Sequence, residues 1–248
     1  MYFKLIPLLL NLSILPSALS YPQESEPCST YTTPTTTPDA ASTSSTTTTS
    51  SPTQSYGLGT LTSWDPDRPW LDSLKVENGG LSFVLGATGA GIYCPTGVNP
   101  CPDSGELVVY WPNWGLNVEV PGGQQTFISF SGLLTYTQAH SIYMPNGPAL
   151  ADTGIWTFHS LAIPSGDLCP GNSPHYNCAP ALGYWSFVLP NGTDTGVLAC
   201  PLSGCSVDGP LYTLYVQEPL FNVTGCTRLK GVKVHSWEGE NPAAWQYY

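Results

Sequence analysis

The chain has 248 residues, only 9% of which are charged, and its formal net charge is −11. That charge repels phosphate backbones and anionic lipid headgroups, which argues against nucleic acid and acidic membrane surfaces as partners. Low charge combined with 25 Gly, 25 Pro and 14 Tyr is typical of an extracellular β protein rather than of a helical or cofactor-binding one.

Residues 1–20 predict a secretory signal peptide. Lys4 supplies the positive start, Leu5–Leu15 the apolar core, and Ala18-Leu19-Ser20 the small-residue cleavage site. The apolar run is too short and too interrupted to span a bilayer. Residues 241–248 contain no apolar tail of the kind that a removable lipid anchor requires. We therefore expect a secreted chain with no membrane span once the leader is removed.

Residues 21–55 predict a disordered stalk rich in Ser, Thr and Pro. The segment Ser42–Ser51 is entirely Ser and Thr. Such a segment has nothing to bury, so it cannot offset the entropy lost on ordering. In an exported chain this composition indicates an O-glycosylated stalk.

Residues 56–248 predict a single antiparallel all-β domain. Short apolar runs, several alternating with polar residues, are separated by Gly- and Asn-containing turns, and no window shows a clean helical period. The predicted strands are 81–85, 107–111, 116–120, 126–130, 133–137, 155–159, 184–188, 197–200, 212–216 and 232–236, and the predicted turns include Asn78-Gly79, Asn146-Gly147 and Asn191-Gly192. Periodicity leaves two architectures open, a β-trefoil or barrel-like form and a two-sheet sandwich.

All eight cysteines follow the leader, so in an oxidising compartment we expect them to pair. Eight cysteines allow 105 pairings, and spacing does not choose among them. Local bridges would staple the Pro-rich loops around Cys94 and Cys101 and around Cys169 and Cys178. Seven cysteines lie in the domain, which leaves Cys28 as the odd one before the stalk. The strongest disulfide candidates are Cys94, Cys101, Cys169, Cys178, Cys200 and Cys226.

Two sequons, Asn191-Gly-Thr193 and Asn222-Val-Thr224, predict N-glycosylation at Asn191 and Asn222. Asn191 falls in a predicted hairpin turn, which is the exposed setting that an acceptor needs.

No motif predicts catalysis, a cofactor or a metal site. The glycine run Gly86–Gly91 imitates a dinucleotide-binding loop, but the helix that must follow such a loop is missing. Glycoside hydrolysis needs two facing carboxylates, and the available ones form no local motif: Glu106, Glu119, Asp152, Asp167 and Glu218. The four histidines, His140, His159, His175 and His235, lie in no recognised hydrolase motif, although a Ser-His-Asp arrangement assembled by the fold is left open.

Eight tryptophans make sugar stacking a second hypothesis. Trp111 and Trp114 flank Pro112-Asn113, and on an exposed loop their rings could stack on a glycan. Packing in the core is the alternative use of both side chains.

Three groups of motifs carry a resemblance to a known family. They are Val120-Pro-Gly-Gly-Gln-Gln125 followed by Gly132-Leu-Leu-Thr-Tyr-Thr-Gln-Ala-His-Ser141, then Tyr93-Cys-Pro95 with Cys101-Pro102, and finally Ala199-Cys-Pro201 with Cys226. Together they resemble fungal secreted proteins labelled IgE-binding proteins, which are similar to a cell-wall protein linked to phialide development. The resemblance spans about residues 81–234. The stalk, three further cysteines and the segment after Cys226 depart from the family pattern.

The resemblance implies a secreted or wall-associated protein without catalysis. It also implies that Cys94 pairs with Cys101 and Cys200 with Cys226. We therefore expect a non-enzymatic protein of the cell wall or cell surface. The alternatives are a carbohydrate-binding module tethered by the stalk and, third, a polysaccharide hydrolase. A cell-wall polysaccharide is the partner class that these hypotheses share.

Overall fold

The computed structural model describes residues 57–111, 115–144, 155–160, 173–206, 209–218 and 220–248. In these ranges the regular structure consists of strands alone, and they form an antiparallel sheet that curls into a half-barrel. The predicted all-β fold is therefore confirmed, in its barrel-like form. The predicted signal peptide and stalk lie outside the described residues.

Among the described residues, thirteen strands form the main sheet and two form a small ribbon. In chain order the strands are β1 (Gly57–Trp64), β2 (Lys75–Gly79), β3 (Ser82–Leu85), β4 (Ile92–Tyr93), β5 (Val108–Trp111), β6 (Gly115–Leu116), β7 (Thr126–Ile128), β8 (Leu134–Tyr136), β9 (Ile155–His159), β10 (Gly183–Val188), β11 (Val197–Ser206), β12 (Gly209–Tyr215), β13 (Thr227–Leu229), β14 (Gly231–Ser236) and β15 (Gln246–Tyr247).

The curl of the sheet follows from a fork at β1. Along one edge, β1 pairs with β14 from Gly59 to Trp64. Along its other edge, residues 57–60 pair with β5 and residues 61–62 pair with β2. The order from one end of the main path is β13-β11-β12-β3-β2-β1-β14-β10-β9, with β5 to β8 branching from it. One strand with two neighbours on the same edge forces the sheet to divide and bend there.

The sheet has one apolar face, which forms the core. Alternation places Val232 and Val234 of β14 on this face, together with Trp185 and Phe187 of β10 and Leu61 of β1. All five side chains are less than 5% exposed. The burial follows from the period of two that places alternate residues of a strand on one face.

The other face of the same strands is polar. Thr62, Lys233 and Tyr184 lie side by side on it, and His235 follows two residues after Lys233. Residues 65–74 and 173–182 cover part of this face, so Thr62, Lys233 and His235 are buried even though they point away from the core. The uncovered remainder of the polar face carries the site described below.

Two predicted local features are corrected by the structure. Asn78 and Gly79 belong to strand β2, and the turn falls two residues later at Gly80 and Leu81, which both have φ near 60°. A turn with positive φ at both central residues suits the twist of a hairpin. The predicted strand 116–120 is reduced to the two-residue β6 and a single bridge at Val118. The predicted turn at Asn146-Gly147 lies outside the described residues.

Candidate carbohydrate-binding surface

Three half-exposed rings form a row on the uncovered polar face. The centroids of Trp64 and Tyr184 are 3.9 Å apart, and those of Tyr184 and His159 are 4.4 Å apart with an angle of only 10° between the ring planes. The three rings come from β1, β10 and β9, so the sheet itself fixes their spacing. We call this set the aromatic row.

Gly231 allows the rings of Tyr184 and Trp64 to come into contact. Gly231 of β14 lies directly opposite Trp64 in the register. A Cβ at this position would collide with the carbonyl oxygen of Trp185 and lie 2.9 Å from the Tyr184 ring. Since Gly231 has no side chain, the Tyr184 ring can lean across β14 and reach Trp64.

A serine, a histidine and an aspartate meet at one end of the row. Ser186 Oγ lies 2.8 Å from His159 Nε2 and 2.8 Å from Asp194 Oδ2, whereas His159 Nε2 and Asp194 Oδ2 are 3.9 Å apart. An ionised carboxylate can only accept hydrogen bonds, and a serine hydroxyl carries one proton. Ser186 therefore donates to Asp194 and accepts from the Nε2–H of His159.

This order differs from that of a hydrolytic triad. In a triad the imidazole lies between the serine and the acid, and it takes the serine proton. Here the serine lies between the other two groups, its proton is held by Asp194, and Ser186 is completely buried. The Ser-His-Asp arrangement that the sequence leaves open does form, but in an order that orients Asp194 and His159 rather than activating Ser186.

Exposed cations gather around the row. Lys230 Nζ lies 6.0 Å from the Trp64 ring centroid and 3.1 Å from Asp67 Oδ2. Arg228 donates from Nη2 to the carbonyl oxygen of Asp194. Arg68 in turn donates from Nη2 to the carbonyl oxygen of Arg228. Rings flanked by hydrogen-bonding groups of both kinds provide stacking surface and orientation for a polar ligand.

The covered part of the polar face holds a buried lysine. Lys233 Nζ lies 2.9 Å from Asp72 Oδ2 and 2.6 Å from Ser73 Oγ. Ser73 has φ of 63°, and a serine beside a lysine is a known catalytic pairing. However, Ser73 is only 5% exposed, and its hydroxyl donates to Asp72 while accepting from Lys233, so the lysine does not act as the acceptor of the serine proton. We interpret this group as an anchor for residues 65–74.

Two glutamates, Glu77 and Glu106, lie near the place where β2 and β5 pair with the same edge of β1. Burial raises the pKa of Glu77 to about 8, while its Oε2 accepts a hydrogen bond of 2.8 Å from the Leu107 N–H. Glu106 forms an ion pair of 3.1 Å with Lys75. A protonated carboxyl near an ionised one is the pattern of a general acid pair. Glu77 is only 2% exposed, which denies a substrate access to it.

The structure places the predicted site residues as follows. Trp111 is 8% exposed and stacks on Phe158 at 5.6 Å inside the core. The prediction that it stacks on a glycan is therefore wrong, because β5 turns this ring onto the apolar face. Trp114 lies outside the described residues, as do the candidate carboxylates Asp152 and Asp167. Glu119 is exposed and Glu218 is buried.

Disulfides join Cys94 to Cys101 and Cys200 to Cys226, which are the two pairings that the family resemblance implies. Cys178 is also disulfide-bonded, and Cys169 lies outside the described residues. The first bridge closes the loop that follows β4. The second ties β11 to the segment that precedes β13.

Both sequon asparagines, Asn191 and Asn222, are exposed, and so are the threonines that complete the sequons, Thr193 and Thr224. Asn191 lies in a tight turn that follows β10 and is closed by the antiparallel bridge between Val188 and Asp194, as predicted. Its Oδ1 accepts a hydrogen bond of 2.9 Å from the Thr193 N–H.

The comparison with known proteins gives one informative relative. It is named as an uncharacterized secreted protein of the fungus Arthroderma benhamiae, and it is 31% identical over 193 residues, which cover 75% of this chain and 84% of the relative. The chain belongs to the same family as this secreted fungal protein. No family model matches the chain, and no solved structure matches it.

Membership of this family agrees with the export predicted from the sequence, and the protein is secreted. The disulfides agree with an oxidising compartment. In the part of the chain that the structure describes, no helix has the length and apolarity to cross a membrane. The described residues also contain no group of three or more His, Cys, Asp or Glu placed to hold a metal ion.

Sequence reasoning missed the aromatic row. Trp64, Tyr184 and His159 lie in three separate segments of the chain and belong to no common motif. The available signal was their position on the polar face of alternating strands, but it becomes useful only when the pairing of β1, β14, β10 and β9 is known.

Proposed function

We propose that this protein is a non-catalytic glycoprotein of the fungal cell wall or cell surface, and that it is retained there by binding polysaccharide through the aromatic row. The single observation that carries the binding proposal is the set of three contacting rings, Trp64, Tyr184 and His159, on the solvent side of a rigid sheet. Tyr184 and His159 stack face to face, so a sugar ring would pack on the ring surface that this stack leaves exposed. The polar groups around the row would satisfy sugar hydroxyls.

The wall location is supported by the motif resemblance to fungal wall-associated proteins and by the predicted O-glycosylated stalk. A Ser/Thr-rich stalk of 35 residues, 21–55, has the composition of segments that display exported proteins at a surface. The acidic character of the chain is compatible with neutral wall polymers, which contain no phosphate backbone.

The binding test is retention on insoluble polysaccharide. We expect the secreted protein to be retained on at least one of chitin, β-glucan and mannan, and we expect Trp64→Ala and Tyr184→Ala to reduce that retention. Tyr93→Ala is the matched control, because Tyr93 is a tyrosine 49% exposed in the separate β4–β15 ribbon. Equal retention of all variants, or no retention of the native protein, would refute the proposal.

The non-catalytic assignment is supported by the arrangement of the reactive groups. The Ser186 hydroxyl donates its hydrogen bond to Asp194 rather than to a histidine, and Ser73 and Glu77 are buried. We expect no release of reducing sugars from wall polysaccharides and no hydrolysis of ester substrates. Sustained turnover that is abolished by Ser186→Ala or Glu77→Gln would contradict this assignment.

N-glycosylation of Asn191 and Asn222 is tested by treating the secreted protein with peptide N-glycosidase. We expect the treatment to lower the apparent mass of the native protein. The decrease should be smaller for Asn191→Gln and for Asn222→Gln, and absent for the double variant. An unchanged mass of the native protein would show that neither sequon is used.

A further inference from the structure

A carboxylate stands at the rim of the aromatic row. Asp194 Oδ2 lies 3.9 Å from the Nε2 of His159, the last ring of the row. The negative charge of Asp194 also contributes, after burial, to raising the pKa of Tyr184, the middle ring. Asp194 therefore lies next to two of the three rings.

This carboxylate is held in one orientation. Its Oδ2 accepts from the Ser186 hydroxyl at 2.8 Å, and its Oδ1 accepts from the Gly196 N–H at 2.8 Å. A carboxylate offers about four acceptor positions, so two remain after these bonds. The side chain is 45% exposed, and among the described residues no lysine or arginine forms an ion pair with it. Asp194 is a fixed acceptor with unused capacity.

A donor lies beside this acceptor. The Arg228 guanidinium touches the Asp194 carbonyl oxygen through Nη2. A guanidinium has five N–H donors in a planar fork. Arg228 is exposed and forms no ion pair within the described residues, so donors remain for a ligand. This contact holds the guanidinium against the main chain of Asp194, the residue whose side chain is the acceptor.

We propose that the Asp194 carboxylate and the Arg228 guanidinium recognise hydroxyl groups of an uncharged hexose polymer whose sugar rings stack on the aromatic row. The carboxylate accepts from one hydroxyl, and the guanidinium donates to the oxygen of another. This inference rests on the proposed function, because it assumes that the row binds a polysaccharide. It adds the class of ligand and the residues that determine specificity.

The charges of the surface and of the whole chain define the class. The Asp194 carboxylate and the Arg228 guanidinium carry opposite charges, so a uronate or a phosphorylated sugar would be repelled by one and attracted by the other. The formal net charge of −11 on the chain adds a repulsion that disfavours an anionic polymer. An uncharged sugar supplies only hydroxyl donors and acceptors, which complement the acceptor and the donor present here.

The experiment is titration calorimetry of the full secreted protein with four soluble probes: laminarin, mannan, chitohexaose and polygalacturonate. We expect a neutral probe to bind most tightly and polygalacturonate to bind weakest. Asp194→Asn removes the charge and replaces one acceptor by a donor, so we expect the affinity for the neutral probe to fall by about tenfold or more. Arg228→Met is a second, independent variant, and we expect it also to lower the affinity for the neutral probe.

Glu119→Gln is the matched control, since Glu119 is an exposed carboxylate that lies outside the site, and we expect its affinity to equal that of the native protein. Near-ultraviolet circular dichroism verifies that each variant is folded. If the native protein binds no probe, the proposed function fails and the inference falls with it. If Trp64→Ala loses binding while Asp194→Asn and Arg228→Met keep it, or if polygalacturonate binds most tightly, the inference alone is overturned.

Discussion

The side chain of Gln124 forms a two-point hydrogen bond with the backbone of Tyr247, 123 positions later in the chain. Its Nε2 donates to the Tyr247 carbonyl at 3.0 Å, and its Oε1 accepts from the Tyr247 N–H at 2.8 Å. The same Nε2 also donates to the Thr137 carbonyl at 3.1 Å. Gln124 belongs to the Pro-Gly-Gly-Gln-Gln motif and Thr137 to the Leu-Thr-Tyr-Thr-Gln motif. The central signature of this chain therefore has a structural role, which is to hold the last strand.

Gln124→Ala should lower the free energy of unfolding by about 2–4 kcal/mol, because it leaves buried backbone groups of Tyr247 and Thr137 without partners. Gln124 is completely buried, so water cannot replace the lost bonds without opening the structure. Urea unfolding of the protein with intact disulfides measures the change.

Gln125→Ala is the matched control for this prediction. The Gln125 side chain is exposed, and we expect its removal to change the free energy of unfolding by less than about 0.5 kcal/mol. Equal effects of the two substitutions would show that the contact with Tyr247 contributes little.

Lys233→Met should be strongly destabilising, by about 2–4 kcal/mol. It leaves the Asp72 carboxylate without the ammonium that lies 2.9 Å away, in a pair whose lysine side chain is only 6% exposed. Lys75→Met breaks the ion pair with Glu106, whose two side chains are 22% and 29% exposed, and it should cost less than about 1 kcal/mol because solvent screens that pair. Thermal unfolding of both variants tests the difference, and a larger loss for Lys75→Met would contradict it.

Glu77→Gln should remove a loss of stability that occurs as the pH rises from 4.5 towards 8. The pKa of Glu77 is raised by burial from 4.5 to about 8 in the folded protein. Between these values the folded state holds a proton that the unfolded state releases, so the native protein loses stability as the pH rises from 4.5 towards 8. The maximum slope for one group is about 1.4 kcal/mol per pH unit.

Urea unfolding at pH 5, 6, 7, 8 and 9 gives the comparison. The stability of Glu77→Gln relative to the native protein should increase up to about pH 8 and then level off, since Gln keeps an acceptor for the Leu107 N–H and does not titrate. Parallel stability curves for the two proteins would show that the folded protein does not hold a proton on Glu77.

Sequence patterns predict the strands that carry a clear apolar face. β9 falls within the predicted bounds 155–159, and β3, β5, β10 and β14 begin or end within one residue of prediction. The central strand β1 was missed because Leu61 is the only strongly apolar residue on its core face, where Gly57, Gly59 and Ser63 flank it, so the strand shows no alternating hydropathy. β2 was missed for a related reason. Its sequence is polar and resembles a turn, although Glu77 is buried in the structure.

The candidate site was less accessible to prediction than the fold. Two kinds of feature were predictable. The turn at Asn191 is a local feature of the sequence, and the disulfides Cys94–Cys101 and Cys200–Cys226 follow family motifs. The aromatic row depends on a register that joins Trp64 to Gly231 and Tyr184 to His159, and single-sequence patterns do not contain that register. Trp111 was misplaced because an aromatic residue followed by Pro resembles a loop, whereas the structure ends a buried strand there.

His235→Gln should flatten the loss of stability at acid pH. His235 is 1% exposed, and burial, together with the positive charge of Lys233, lowers its pKa from 6.5 to about 4. Its Nε2 lies 2.7 Å from the Thr62 hydroxyl oxygen and its Nδ1 lies 3.3 Å from the Pro180 carbonyl oxygen. Because a carbonyl only accepts, Nδ1 carries the proton and the neutral ring accepts from Thr62. Protonation of Nε2 would eliminate that acceptor.

Between pH 6.5 and 4 the unfolded chain binds a proton on His235 and the folded chain does not, so the stability falls as the pH falls through this range. Gln offers a donor and an acceptor but does not titrate. The stability of the native protein relative to His235→Gln should therefore decrease by up to about 1.4 kcal/mol for each pH unit between 6.5 and 4. Subtracting the two urea-unfolding curves cancels the opposing contribution of Glu77, which is common to both proteins. A difference that stays constant from pH 7 to pH 4 would mean that the folded protein accepts the proton on His235 as readily as the unfolded chain does.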